Sequence, residues 1–107
     1  DILIYRLVYN LVENAIKYNH SDGQVIVTAE RKDKHIHLSV EDTGNGIPKE
    51  LKERVFEPFF RVDKSRSREL GGVGLGLALV HEIVRTHDGS ITVRDNPPGG
   101  TIFEVVF

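Results

Sequence analysis

The stretch HIHLSVED, residues 35–42, decides how this chain folds. Apolar and polar residues alternate through it without interruption, which is the pattern of a β-strand that buries one face. Ile36, Leu38 and Val40 point to one side, and by the same parity Asp42 points there too. We therefore predict a strand that ends by aiming a carboxylate toward the core, an arrangement that is costly unless the carboxylate is hydrogen-bonded.

Three other segments are predicted to be strands with one apolar face. They cover residues 24–30, 90–95 and 101–107. Thr101 shares the apolar side of the last strand, so its hydroxyl is expected to point inward. The apolar side chains that these three strands place on one side are Val25, Val27, Ala29, Ile91, Val93, Phe103, Val105 and Phe107.

Two amphipathic helices are predicted on either side of the chain's middle. The first spans residues 1–19 with Asp1 as its N-cap, and the second ends at a C-cap formed by Asp88 and Gly89. A short helical piece is predicted over residues 49–55. The apolar faces of the two long helices consist of Leu7, Val8, Leu11, Val12, Ala15 and Ile16, and of Leu75, Leu79, Val80, Ile83 and Val84.

These elements predict an α/β (α+β) two-layer sandwich, in which helices cover one face of a mixed, mostly antiparallel sheet. With 107 residues, of which 39% are hydrophobic, the chain suits a single domain over residues 1–107. It starts abruptly at a helix, and we expect it to be a piece of a longer protein.

Composition excludes several classes of function. A net charge of −2 gives no general attraction to nucleic acid or to an anionic membrane surface. The chain has no cysteine, so disulfides, thiolate metal sites and cysteine nucleophiles are excluded. The apolar runs are too short to span a bilayer, and no signal-peptide pattern is present. We expect a cytoplasmic domain that contacts neither nucleic acid nor membrane.

Three polar residues form one stripe along the first helix. Asn10, Asn14 and Lys17 fall within an arc of roughly 60° at the edge of the apolar face. Asparagine is a poor residue in mid-helix because its amide competes for backbone hydrogen bonds. The stripe is therefore either a polar rim that meets only water or a row that faces a ligand.

Two glycine-containing loops complete the candidate site. TGNGIP, residues 43–48, follows Asp42 directly, and its glycines allow a tight turn with close backbone approach. GGVGLGL, residues 71–77, runs into the second long helix, whose first N–H groups could bind phosphate. By itself this second stretch fits a mobile linker equally well, and neither a P-loop nor a dinucleotide-binding pattern is present.

The segment between these loops is charged. Residues 61–69 contain four cations, which suit either a solvated loop or a lid over a triphosphate. Three aromatic residues before it are expected to anchor the loop to the domain, namely Phe56, Phe59 and Phe60. His35 and His37 share one strand face on the solvent side, where an isolated pair is a poor metal site.

Taken together, the motifs resemble those of the ATP-binding catalytic domain of sensor histidine kinases, in the GHKL ATPase superfamily. NLVENAIKY, residues 10–18, is similar to the N box of that family, and DTGNG, residues 42–46, to its G1 box. FEPFFR, residues 56–61, resembles the F box, and GVGLGL, residues 72–77, the G2 box. Gly100-Thr101 resembles the last glycine-containing box. Five motifs in this order are specific, and they cover almost the whole chain.

The resemblance implies ATP and Mg²⁺ as cofactors and gives the matched residues roles. Asp42 would bind the adenine amino group beside Gly46 and Thr101, and Asn14 would be the one protein ligand of Mg²⁺. Asn10, Lys17 and Arg61 would contact the phosphates and form the catalytic set. The other implied nucleotide contacts are Tyr18, Gly44, Ile47, Gly72, Gly74, Leu75, Gly76 and Leu77.

The reaction implied by the resemblance is transfer of the γ-phosphoryl group to a histidine on an upstream dimerisation domain, with a response regulator as indirect partner. None of the five histidines lies in such a context, so we expect the chain to bind ATP without phosphorylating itself. A nucleotide-responsive regulatory module without phosphotransfer is the alternative. ATP hydrolysis is disfavoured, because the position of Asn10 resembles one that is held by a water-activating glutamate in the hydrolytic branches of the superfamily. Val73 departs from the Thr or Ser that the family often has.

Overall fold

The computed structural model describes residues 2–58, 60 and 76–107 of the chain. Two α-helices, one 3₁₀ turn and four strands lie within these ranges. Asp1, Phe59 and the segment 61–75 fall outside them, and with them the predicted N-cap, the candidate lid and most of the second glycine loop. The elements are α1 (Ile2–Lys17), β1 (Val25–Lys32), β2 (His35–Asp42), the 3₁₀ turn (Lys49–Leu51), α2 (Gly76–Thr86), β3 (Ser90–Asn96) and β4 (Gly100–Val106).

The four strands form one sheet in the order β1-β2-β4-β3. All three pairings are antiparallel, which confirms the α+β prediction, and no parallel pair occurs among the described strands. Because β4 lies between β2 and β3, the end of β2 comes next to the start of β4. This order places Asp42 beside Thr101, two residues that are 59 positions apart in the chain.

The core lies between the two helices and the two central strands. Its buried side chains come from α1, α2, β2 and β4, while β1 and β3 contribute only partly buried residues. Val27 and Ala29, which were predicted to share the buried face, are exposed, Val27 by 46%. They are on the correct side, opposite Val40 and Leu38, but β1 is an edge strand that the helices do not cover.

The buried face of each long helix is narrower than its apolar sequence pattern predicted. Leu7, Leu11 and Ala15 are buried as predicted, but Ile16 is 62% exposed, and Leu79 on α2 is 39% exposed. Each of these two residues lies toward one side of its apolar arc, while the other side of the arc, which includes Leu7 on α1 and Val84 on α2, is buried. α1 ends at Lys17, two residues earlier than predicted.

The segment after Pro48 is less regular than a helix. Only Lys49–Leu51 forms a 3₁₀ turn, and hydrogen bonds between residues three apart continue irregularly to Phe60. Phe56 anchors this segment, because its ring meets Phe103 edge-on at 6.1 Å between centroids and His81 at 5.5 Å.

Within the described ranges, no helix is long and apolar enough to cross a bilayer.

Candidate functional site

Asp42 ends β2 with its side chain turned into the protein, as the alternation of that strand predicts. The residue is only 7% exposed. Its Oδ1 accepts two backbone hydrogen bonds, from the N–H of Gly44 at 2.9 Å and from the N–H of Thr101 at 3.2 Å. One carboxylate oxygen therefore holds the loop after β2 and the start of β4 together.

The other carboxylate oxygen of Asp42 has a different surrounding. No group in residues 2–58, 60 and 76–107 donates a hydrogen bond to Oδ2. Burial raises the pKa of the Asp42 carboxyl, and the two backbone hydrogen bonds partly oppose this rise. Asp42 thus presents an unused acceptor at the inner edge of the sheet, where a ligand N–H group could satisfy it.

The last residue of β3 and the first residue of β4 fix the backbone of Asp42. Asn96 donates from Nδ2 to the Asp42 carbonyl oxygen at 2.9 Å. A Cβ on Gly100 would lie 1.8 Å from the same oxygen, so no larger residue fits there. Thr101 is 4% exposed, which confirms the inward direction predicted for it. Asn96 was missed in the sequence, where it reads only as the first residue of a turn.

The loop after Asp42 passes close to two other backbones. A Cβ on Gly44 would lie 2.3 Å from the carbonyl oxygen of Tyr18 at the end of α1. Gly46 has a φ of 73°, and a Cβ there would lie 2.9 Å from the carbonyl oxygen of Gly99. Ile47 packs against the core. Glycine is required at both positions by protein contacts, so a nucleotide contact is not needed to explain either residue.

The polar stripe of α1 is half-buried and only partly engaged. Asn10 donates from Nδ2 to the carbonyl oxygen of Arg6 at 2.7 Å, and Lys17 pairs with Glu13 at 3.4 Å. No hydrogen bond from another described residue reaches the Asn14 amide. The stripe therefore combines the Asn14 amide, which has no partner among the described residues, with the Lys17 ammonium group. Lys17 can exchange the partly exposed carboxylate of Glu13 for another anion.

The first residue of α2 lies next to this stripe. A Cβ on Gly76 would be 3.1 Å from Oδ1 of Asn10, so the N-terminus of α2 approaches the middle of α1 closely. Leu77, one residue further, packs against the core. The other predicted contacts of this part, Arg61, Gly72, Gly74 and Leu75, lie outside the described residues, as does Val73.

The family model of histidine kinase-, DNA gyrase B- and HSP90-like ATPases matches all of residues 1–107. The chain belongs to this ATPase family. Within it, the chain is similar to the catalytic domains of sensor histidine kinases, as the order of its motifs predicts.

Three relatives illustrate the likeness. The sensor protein CiaH of Streptococcus pneumoniae is 45% identical over 105 residues, which are 98% of this chain and 24% of CiaH. The mycobacterial sensor histidine kinase MprB superposes with a TM-score of 0.83 at 36% identity, over 95% of this chain and 69% of that one. Full-length ShkA in complex with AMPPNP gives a TM-score of 0.81 at 30% identity, over 97% of this chain and 21% of that one.

The chain spans about a quarter of the length of CiaH and about two thirds of the solved catalytic domain of the histidine kinase ThkA. In this ATPase-family domain, the inward Asp42 and the stripe on α1 belong to two different motifs, and the loop that follows Asp42 contacts the backbone at the end of α1. The contact between Gly44 and Tyr18 joins the two parts.

Proposed function

We propose that this domain binds Mg-ATP and donates the γ-phosphoryl group to a histidine on a separate dimerisation domain, as part of a cytoplasmic signalling pathway with a response regulator downstream. One observation carries the nucleotide part of this proposal, namely the buried Asp42 with one oxygen held by the backbone and the other without a donor. The N6 amino group of adenine is a donor that such an oxygen would bind.

The residues present suit a magnesium ion that arrives with the nucleotide. The Asn14 side chain offers an amide oxygen, a ligand type that Mg²⁺ accepts. No group of three or more His, Asp or Glu side chains that could hold a metal occurs in the described part of the chain. An ion at Asn14 would take its other oxygens from phosphates and water. When bound, it would neutralise charge on the transferring phosphoryl group.

Side chains of α1 and the start of α2 would bind and orient the phosphate groups. Lys17 would leave Glu13 for a phosphate oxygen, since that ion pair is partly exposed and worth little. Asn10 would orient phosphate and, as an amide, would not act as a base for water. The N-terminus of α2 beside Asn10 would add a favourable dipole of about 0.3–1 kcal/mol. Transfer to an incoming nucleophile then needs positioning more than proton abstraction.

A phosphotransfer assay in two parts tests the proposal. The chain is mixed with Mg-ATP labelled at the γ-phosphate and with a separately produced histidine-bearing dimerisation domain of a close relative. We expect label on that domain that is lost in acid and kept in base, and none when its histidine is replaced. Bound ATP without any transfer would instead support a nucleotide-responsive regulatory module.

A further inference from the structure

A group of hydrogen bonds joins the end of α1 to the loop after β2. The Thr43 hydroxyl accepts from the N–H of Gln24 at 2.8 Å and donates to Oδ1 of Asn19 at 3.2 Å. The same Asn19 oxygen accepts from the N–H of His20 at 2.8 Å, and Asn19 Nδ2 donates to the Gln24 carbonyl at 2.8 Å. We call Asn19, Gln24 and Thr43 the clasp.

Backbone contacts strengthen this junction. The N–H of Thr43 donates to the Gln24 carbonyl at 3.2 Å, which continues the ladder between β1 and β2 by one pair. The N–H of Asn45 donates to the Tyr18 carbonyl at 3.3 Å. The residues that directly follow α1 are therefore bonded to the sheet at the point where β2 ends, next to Asp42.

The clasp lies between the two halves of the candidate site. Asn19 follows Lys17 by two residues, and Thr43 directly follows Asp42. We propose that Asn19 and Thr43 are positioning residues, which set the distance between the phosphate-binding stripe of α1 and the adenine acceptor Asp42. This inference rests on the proposed function, and neither residue is assigned a contact with the nucleotide.

The two ends of a nucleotide should respond differently to loss of the clasp. Asp42 keeps its bonds to Gly44, Thr101 and Asn96, which do not involve the clasp. Adenosine, which needs only the Asp42 end, should therefore still bind. Mg-ATP must reach Asp42 and the α1 stripe at once, so it should lose affinity when their spacing is no longer fixed.

The test measures both ligands by calorimetry on matched variants of Thr43. Thr43→Val keeps the shape of the side chain and removes the hydroxyl, whereas Thr43→Ser keeps the hydroxyl. For Thr43→Val we expect Mg-ATP to bind about tenfold more weakly and adenosine to stay within about twofold. Thr43→Ser should bind both ligands as the unaltered chain does.

Two further variants complete the design. Thr28→Val makes the same change at an exposed position of β1 and should alter neither affinity. Asn19→Ala removes the partner oxygen and should repeat the selective loss, so it carries the test if Thr43→Val does not fold by circular dichroism. Equal weakening of adenosine and Mg-ATP, or unchanged binding of Mg-ATP, would overturn the positioning role. Failure of the unaltered chain to bind Mg-ATP would overturn the proposed function itself.

Discussion

The two oxygens of the Asp42 carboxyl group differ in their surroundings, and this difference makes its protonation informative. Oδ1 accepts both backbone N–H groups, so a proton would go to Oδ2. Because burial raises the pKa of Asp42, the folded state binds this proton more tightly than the unfolded state does. Stability contributed by this group must therefore fall as pH rises from the unfolded pKa through the raised folded pKa.

Asp42→Asn tests this at the level of one residue. Its amide oxygen can accept the same two backbone N–H groups, but it does not titrate. We predict that the free energy of unfolding of the variant, minus that of the unaltered chain, increases with pH across this window and is constant above it. Urea unfolding of both proteins from pH 4 to pH 8 measures the difference, and other carboxylates cancel in it. A difference that does not change with pH would contradict the raised pKa.

Strand parity in the sequence was enough to predict the inward directions of Asp42 and Thr101. It could not predict the partners of Asp42, because Asn96 and Thr101 reach it through the pairing of β2 with β4 across a long sequence separation. Asn19 was also missed as a bonding partner, since the sequence pattern placed it as the last residue of the first helix, whereas α1 ends at Lys17.

Among the elements, α1 carries the prediction on metal binding. Asn14→Ala removes the one amide of the stripe that has no hydrogen bond from a described residue. We expect adenosine affinity within about twofold of the original and loss of most of the Mg²⁺ dependence of ATP binding. Calorimetry with ATP in the presence of Mg²⁺ or EDTA checks this, with Thr28→Ala as a control at an exposed position of β1 outside the candidate site. Equal Mg²⁺ dependence in Asn14→Ala and the unaltered chain would remove Asn14 from the metal site.

The end of α2 carries a prediction on stability. Asp88 has a φ of 55°, and the N–H of Gly89 donates to the Val84 carbonyl at 2.9 Å, which together form a Schellman cap. The left-handed residue is thus Asp88, where glycine would be unstrained. We predict that Asp88→Gly raises the free energy of unfolding by about 0.5 kcal/mol and that Asp88→Ala lowers it. Thermal unfolding compares the two, and equal stability of both variants would contradict the strain at Asp88.

The sequence predicted which segments form elements better than which of their residues are buried. Periodicity placed Val27, Ile16 and Leu79 on apolar faces, and each is nevertheless substantially exposed. A pattern reports the direction of a side chain, whereas burial also requires a second layer opposite it. Conversely, Ile102 points to the open face but is only 8% exposed, between Glu41 and Arg94 on the neighbouring strands, whose long side chains can cover it.

For the whole molecule, the two-layer architecture and the family were predictable, and the strand order was not. Alternation identifies strands but does not give their neighbours, and here β4 lies between β2 and β3. That order brings the motifs of residues 42–46 and 100–101 together. The clasp then adds the end of α1, so that one site is assembled from three distant parts of the chain.

Binding of Mg-ATP to the unaltered chain and to Asp42→Asn tests this assembly most directly. The substitution keeps an oxygen for Gly44 and Thr101 but replaces the open acceptor by an NH₂ group, which would face the adenine amino group donor to donor. Calorimetry should give saturable binding to the unaltered chain and about 30- to 100-fold weaker binding to the folded variant. Equal affinity of the two proteins for Mg-ATP would contradict the proposed site.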